Sequence, residues 1–270
     1  MLSAVRALKI GLPLLVVGIV SAFAVILARQ YVHYDGIVED VSAWGAFFSV
    51  FGVVYAIVAG FLLVSVLTRY GALSQTIEDE LNAVESVRDF LVYLRGEQEA
   101  PARVVNVSLA KYVDSVASVE WEEMADPKVP TNSDTSEELY EVMRSTGAIH
   151  VTRERDNSIL SAVIGSVSDL AKMRTRRIAL ANERLPPRLR LLLLFMSLVL
   201  SVSFLALGVR SSVAHVFMTS SVTMSAYLLY WIIADLDHPF YGFWNIDRSP
   251  LDELLRTFES ETARSPEHAA

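Results

Sequence analysis

The residues able to do chemistry in this chain are few and badly spaced for it. Five histidines stand at His33, His150, His215, His238 and His268. No two are four apart on a helix, the spacing a helical metal site uses. There is no cysteine, which removes thiol nucleophiles, disulfide frameworks and Cys-ligated zinc or iron–sulfur centres. Neither a phosphate-cradling glycine loop nor a serine nucleophile elbow occurs. The carboxylates Glu78, Asp79, Glu80 and Glu85 read as the solvated face of a helix. No enzyme, cofactor or resident metal is predicted. A net charge of −8 also speaks against a nucleic-acid partner, because such binders carry basic faces.

One polar constellation remains. The segment ADLDHPFYG (234–242) places Asp235, Asp237, Pro239, Phe240 and Gly242 directly after a long apolar run. It reads either as a fixed turn that docks the following tail or holds a cation through the two acids, or as an ordinary membrane-exit turn with aromatics at headgroup level.

The elements that carry these residues follow from where charge is missing. The chain is 53% hydrophobic with mean hydropathy +0.39. Ile10 to Ala28, Val41 to Thr68, Leu191 to Val209 and Ser211 to Ala234 contain no Asp, Glu, Lys or Arg, and together they make up 90 of the 270 residues. About 20 apolar residues cross a bilayer as a helix, so four spans are expected, in two pairs. The first has Arg6 and Lys9 before it and small residues behind, as in a secretory signal. Its apolar run is too long for a signal core, and a retained span is expected.

Lysine and arginine near span ends set orientation. The first loop (residues 29–40) has one Arg against Asp35, Glu39 and Asp40, and the last two spans are joined by little more than Arg210. Lys172, Arg174, Arg176, Arg177, Arg184, Arg188 and Arg190 crowd the approach to the third span. Both termini and segment 69–190 are therefore expected on the cytoplasmic side. That segment reads helical. Leu73, Ile77, Leu81, Val84, Val87, Leu91 and Leu94 form a stripe at steps of three and four, continuing the second span as one rod of about 50 residues and roughly 75 Å. Further helices are expected over 102–124, 134–146 and 155–183, the last stopped by Leu185-Pro186-Pro187. A loop is expected over 125–136, with Ser136 as a helix cap. Ser249, Pro250 and Asp252 suit the start of a short amphipathic helix with Leu251, Leu254, Leu255 and Phe258 on its apolar face. Residues 262–270 are expected to be disordered.

No span core contains Asp, Glu, Lys or Arg, which argues against a proton relay; His215 is expected at the interface. An apolar pore that gates by dewetting stays compatible, as does a bundle that transports nothing. Val53, Ile57 and Phe61 recur every four residues along the second span and share a helix face. They could wall a pore, or equally face lipid or a neighbouring helix. Gly45, Gly52 and Gly60 would let another helix approach closely.

Three stretches together resemble the bestrophin-like family of bacterial membrane proteins. They are VLTRYGALSQTIEDELNAV at the end of the second span, RTRRIALANERLPPRLRLLL before the third, and DLDHPFYG after the fourth. The likeness covers most of residues 40–258. It implies a pentamer whose second spans line a central pore. It also implies a neck of three apolar residues at i, i+4 and i+8, ending eight before the Arg that closes the span. Counted from Arg69, that neck is Val53, Ile57 and Phe61. Two features depart from the family pattern. Tyr70 and Gly71 stand where a tryptophan pair often follows the Arg. The acidic run of the calcium clasp is replaced by Phe243-Trp244-Asn245-Ile246-Asp247, which leaves no basis for calcium gating.

The reading is an all-α, four-span (2 + 2) membrane protein of bestrophin-like architecture. Residues 1–68 form the first hairpin, with spans at about 10–28 and 44–68. Residues 69–190 form a cytoplasmic helical domain, 191–236 the second hairpin, and 237–270 a cytoplasmic turn, helix and tail. The expected function is an ion channel in the cell membrane, a homo-pentamer passing inorganic ions across the lipid bilayer. The alternative is a non-conducting scaffold or sensor whose cytoplasmic helices bind a partner.

Overall fold

A computed structural model describes residues 2–31, 41–126, 136–151, 153–207 and 209–264. Most of the first loop, most of the 125–136 loop and the tail from 265 lie outside them. Among the described residues the secondary structure is helical throughout, with no strand. The chain divides into two compact units: Met1–Thr68 with Leu185–Asp237, and Arg69–Arg184 with His238–Ala270.

The first unit is apolar. It contains α1 (Leu2–Tyr31), the first half of α2 (Val41–Leu91), α7 (Pro187–Ala206) and α8 (Ser212–Leu236). Each is long and apolar enough to cross a membrane. α7 starts four residues before the uncharged run does, because Pro187 is tolerated at a first helical position and brings Arg188 and Arg190 into the first turn. Gly18 of α1 lies close to α8, where a Cβ would stand 2.8 Å from Met224 Sδ; a larger residue there would have to push the methionine aside. By contrast, Gly45, Gly52 and Gly60 have nothing within 4 Å of a built Cβ. They do not serve close packing inside this chain.

Polar groups close the ends of this unit. Arg29 donates to the Val209 carbonyl at 2.7 Å, covering a C=O that the break between α7 and α8 leaves without a helical partner. His215, in the first turn of α8, is fully buried within the chain. Its ring Nε2 lies 3.2 Å from the Phe204 carbonyl, which also accepts from Thr219 Oγ1 at 3.3 Å. The α7 C-terminus, whose last carbonyls lack intrahelical donors, takes the histidine inward.

The second unit is built from the rest of α2, α3 (Glu99–Ser115), a π turn (Val116–Glu120), α4 (Trp121–Ala125), α5 (Glu137–Gly147), α6 (Glu154–Asn182) and α9 (Ser249–Arg264). Its core joins Leu73 and Val87 of α2 to Val105 and Leu109 of α3, Val142 of α5, Leu170 of α6 and Leu254 and Phe258 of α9. α3 begins before the expected residue 102, since Pro101 falls within a first turn, where its missing N–H costs nothing. Ser136 caps α5 by accepting from the Leu139 N–H at 3.3 Å. At α9 the capping side chain lies ahead of the expected Ser249. Asp247 accepts from the Ser249 N–H at 3.0 Å and from its hydroxyl. Those two bonds hold the exposed Asp247 carboxyl below the usual carboxylate range.

Candidate functional site

In the apolar unit α2 buries one stripe only. Tyr55, Ala59, Leu62 and Val66 are packed inside, with the Tyr55 hydroxyl 3.2 Å from Ser197 Oγ of α7. Val53, Ile57 and Phe61 are 59, 62 and 78% exposed. Successive members are four residues and about 40° apart around the axis, so the three form one slightly drifting row. The structure therefore places them together, on a face that none of this chain's own described helices covers. Phe47 and Phe51 stack earlier on the same helix, their ring centroids 5.3 Å apart, while Phe48 turns inward onto Phe204 at 4.5 Å.

The five turn residues separate into two local roles. In the apolar unit Asp237 is fully buried and accepts from the Leu185 N–H at 2.8 Å, with Arg190 Nη2 3.9 Å away. Leu185 is followed by Pro186 and Pro187, which carry no N–H, so this is the one backbone donor of that tripeptide. Asp237 thus ties the start of α7 to the end of α8, and its cationic neighbour is an arginine. Asp235 lies within the last turn of α8. In the second unit Phe240 is 7% exposed and meets Trp121 edge-on at 5.1 Å. The Pro239 carbonyl accepts from the Ile246 N–H at 2.8 Å, closing the loop. Gly242 has φ +136°, a conformation open to glycine and strained for other residues. Among the described residues no three His, Asp or Glu side chains converge as a metal site would require.

The most polar feature of the second unit is one the sequence pattern does not announce. Glu80 is buried, not on a solvated face. Its Oε2 accepts from Arg177 Nε at 2.6 Å, and its Oε1 from Arg177 Nη2 at 3.1 Å and from the Tyr112 hydroxyl. Arg177 also reaches Glu120 Oε2 and Met124 Sδ. Glu120 Oε1 in turn accepts from Arg174 at 2.9 and 2.7 Å. Two carboxylates and two guanidiniums, all buried, balance in charge.

Local structure explains why they meet. Arg174 and Arg177 are three apart on α6, within the buried row Val163, Val167, Leu170, Ile178 and Ala181. Glu80 falls between Ile77 and Val84 on the buried side of α2. Glu120 sits in the π turn, where the Trp121 N–H bonds to the Val116 carbonyl five residues back. That extra residue lets both Glu120 and Trp121 turn inward. Burial by itself would raise the Glu120 carboxyl. Arg177, then Arg174, outweigh it and hold the group below the ordinary range. Burial would likewise lower Arg177, but Glu80 above all keeps it firmly protonated. Tyr112 is pushed well above the usual phenol value by burial and then by Glu80. The network is a fixed, charge-neutral brace.

Four apolar spans and a braced helical unit define an all-α membrane protein. A family model for the Bestrophin-like domain matches residues 11–251, and the chain belongs to that family. Its fold is similar to crystal structures of a bacterial bestrophin homologue from Klebsiella pneumoniae. One point variant of that protein matches with TM-score 0.69 and 17% identity over 94% of this chain and 99% of the other. A second matches with TM-score 0.67 and 18% identity over 93 and 98%. No curated protein matches.

Proposed function

We propose that this chain is one subunit of a bestrophin-like ion channel, a homo-pentamer in the cell membrane in which α2 lines the pore and Val53, Ile57 and Phe61 form its neck. The observation that carries the proposal is the exposed row of three on a helix whose opposite face is packed. A ring of such rows makes a constriction without groups to replace an ion's hydration shell, which blocks when dry and passes ions when wide enough to wet. In this reading both termini and the second unit are cytoplasmic, Asp235, Asp237, Pro239, Phe240 and Gly242 form the turn by which the chain leaves the bilayer, and permeant inorganic ions and lipid are its other partners.

Three experiments test it. Cross-linking or native mass spectrometry should give five copies, and a C-terminal reporter active only outside the cell would overturn the orientation. In planar bilayers at matched protein content, replacing Val53, Ile57 and Phe61 together by alanine should raise basal conductance, with Phe61→Ala contributing most. An intact oligomer that passes no current in either form would favour the non-conducting scaffold or sensor. Conductance in the parent with no change in the triple variant would place the neck on another face.

A further inference from the structure

The apolar unit has a groove on its α1, α7 and α8 side of about 250 Å3, lined by Val20 and Ala24 of α1, Val202 and Leu205 of α7, and Thr219 and Thr223 of α8. A second hollow of about 170 Å3 shares Val17, Ser201 and Thr223 with it and extends it toward Tyr227 and Tyr230. The walls are not loose, since Gly18 meets Met224 of α8 closely beside them.

Ser21 lines this groove and behaves unlike its neighbours. A serine inside a helix usually returns its hydroxyl to the carbonyl four residues back. Ser197 does so to Leu193 at 2.8 Å, and Ser201 to Ser197 at 2.9 Å. Ser21 is only 7% exposed, and its Oγ has no hydrogen-bond partner. A buried polar atom left without a partner is costly and selects whatever supplies one. It stands at the middle of the Gly11–Tyr31 span, about 15 Å from either end. Lipid headgroups do not reach that depth. The aliphatic walls favour an apolar body over water, which needs two to four polar partners. No charged side chain lines the groove, so an anionic or cationic group there would be unpaired.

We infer that this groove binds a bilayer-dissolved amphiphile, an uncharged aliphatic chain carrying one hydrogen-bonding oxygen, alcohol or carbonyl, that pairs with Ser21. The chain fills the space between α1, α7 and α8 while the oxygen completes the serine.

The test uses the full-length protein reconstituted in vesicles and a diazirine-bearing octanol as photolabel, with labelled residues mapped by mass spectrometry. Label should concentrate on Val17, Ser21 and Ala24, on 201–205 and on 219–223 over the exposed α1 residues Leu15 and Ile19. Excess 1-octanol or 2-octanone should displace it better than n-octane, and the stronger of the two competitors distinguishes an alcohol from a carbonyl ligand. Ser21→Ala should reduce labelling roughly 2–10-fold, the range for one modest hydrogen bond. Ala24→Phe should abolish it by filling the groove. Octane competing as well as octanol, or even labelling of all lipid-facing residues, overturns the inference. So does labelling seen only after the oligomer is split by detergent, which would make a second copy the occupant.

Discussion

Arg177→Met isolates the brace of the second unit. The guanidinium donates twice to Glu80, once to Glu120 and once to Met124. Methionine fills much the same volume without charge. Glu80 would keep the Tyr112 hydroxyl and Glu120 would keep Arg174, but two buried carboxylates would then share one guanidinium. Breaking a buried pair by removing one partner costs about 3–5 kcal/mol, because a charge is left uncompensated. For a unit of this size each kcal/mol moves the midpoint by about 2–4 °C, so Tm should fall by roughly 6–20 °C. Since the chain has no cysteine, Val105→Cys with a thiol-reactive fluorophore reports opening of this core alone. Charge bookkeeping gives a second, sharper expectation. Glu80→Gln together with Arg177→Met restores neutrality around the remaining Glu120–Arg174 pair, so the double variant should melt above Arg177→Met. A single variant that melts within about 2 °C of the parent, or a double variant whose losses simply add, refutes the account of a coupled, desolvated network.

Two further outcomes follow from the same unit. The depressed Glu120 carboxyl contributes stability that is fully present above the ordinary carboxylate pKa of about 4.3 and is lost as pH falls through the lower folded-state value. Acid unfolding of the second unit should therefore steepen below about pH 4, and Glu120→Gln should flatten that limb in a pH series of melting curves. Phe240→Ala removes a buried ring held edge-on against Trp121 and should cost about 3–5 kcal/mol; equal denaturant midpoints for parent and variant would reduce this segment to a linker.

The spans are legible because exclusion of charge from hydrocarbon leaves long uncharged runs, which nothing else in a sequence imitates. The Ser136 cap is legible because a cap is local, a hydroxyl answering an N–H three residues on. The buried ions are not, for a definable reason. Charge ordinarily marks solvent, yet Glu80 fits the three-and-four spacing of its stripe as well as Leu81 does. Arg174 and Arg177 occupy the buried row of α6 in the same way. A charge standing at a core position by spacing, matched elsewhere by one of opposite sign, is the signal. His215 escapes a local reading because the carbonyl it serves belongs to Phe204, on another helix. Glycine spacing alone does not name a partner either. A close approach depends on the partner's side chain, and Met224 faces Gly18, not any of the three glycines of α2.

Exposure alone does not separate a pore wall from a lipid face, because hydrocarbon solvates valine and isoleucine as well as protein does. Charge separates them. An aspartate at the centre of a lipid-facing helix costs about 2.5–3.5 kcal/mol on insertion scales, and five copies would multiply the penalty on assembly. The same aspartate around a wettable axis is hydrated and holds the constriction open to cations. Ile57 is the middle member of the row, so Ile57→Asp puts the two environments furthest apart. If the row faces an axis, the variant should insert and assemble at parental yield, and its bilayer current should rise with a shift toward cation selectivity in a salt gradient. If the row faces lipid, yield and oligomer content should fall with no gain of current. Val64 is also exposed on α2 but seven residues from Ile57, about 20° from in line with it, and provides a control for depth. Loss of assembly by both Ile57→Asp and Val64→Asp would assign the whole strip to lipid and remove the neck.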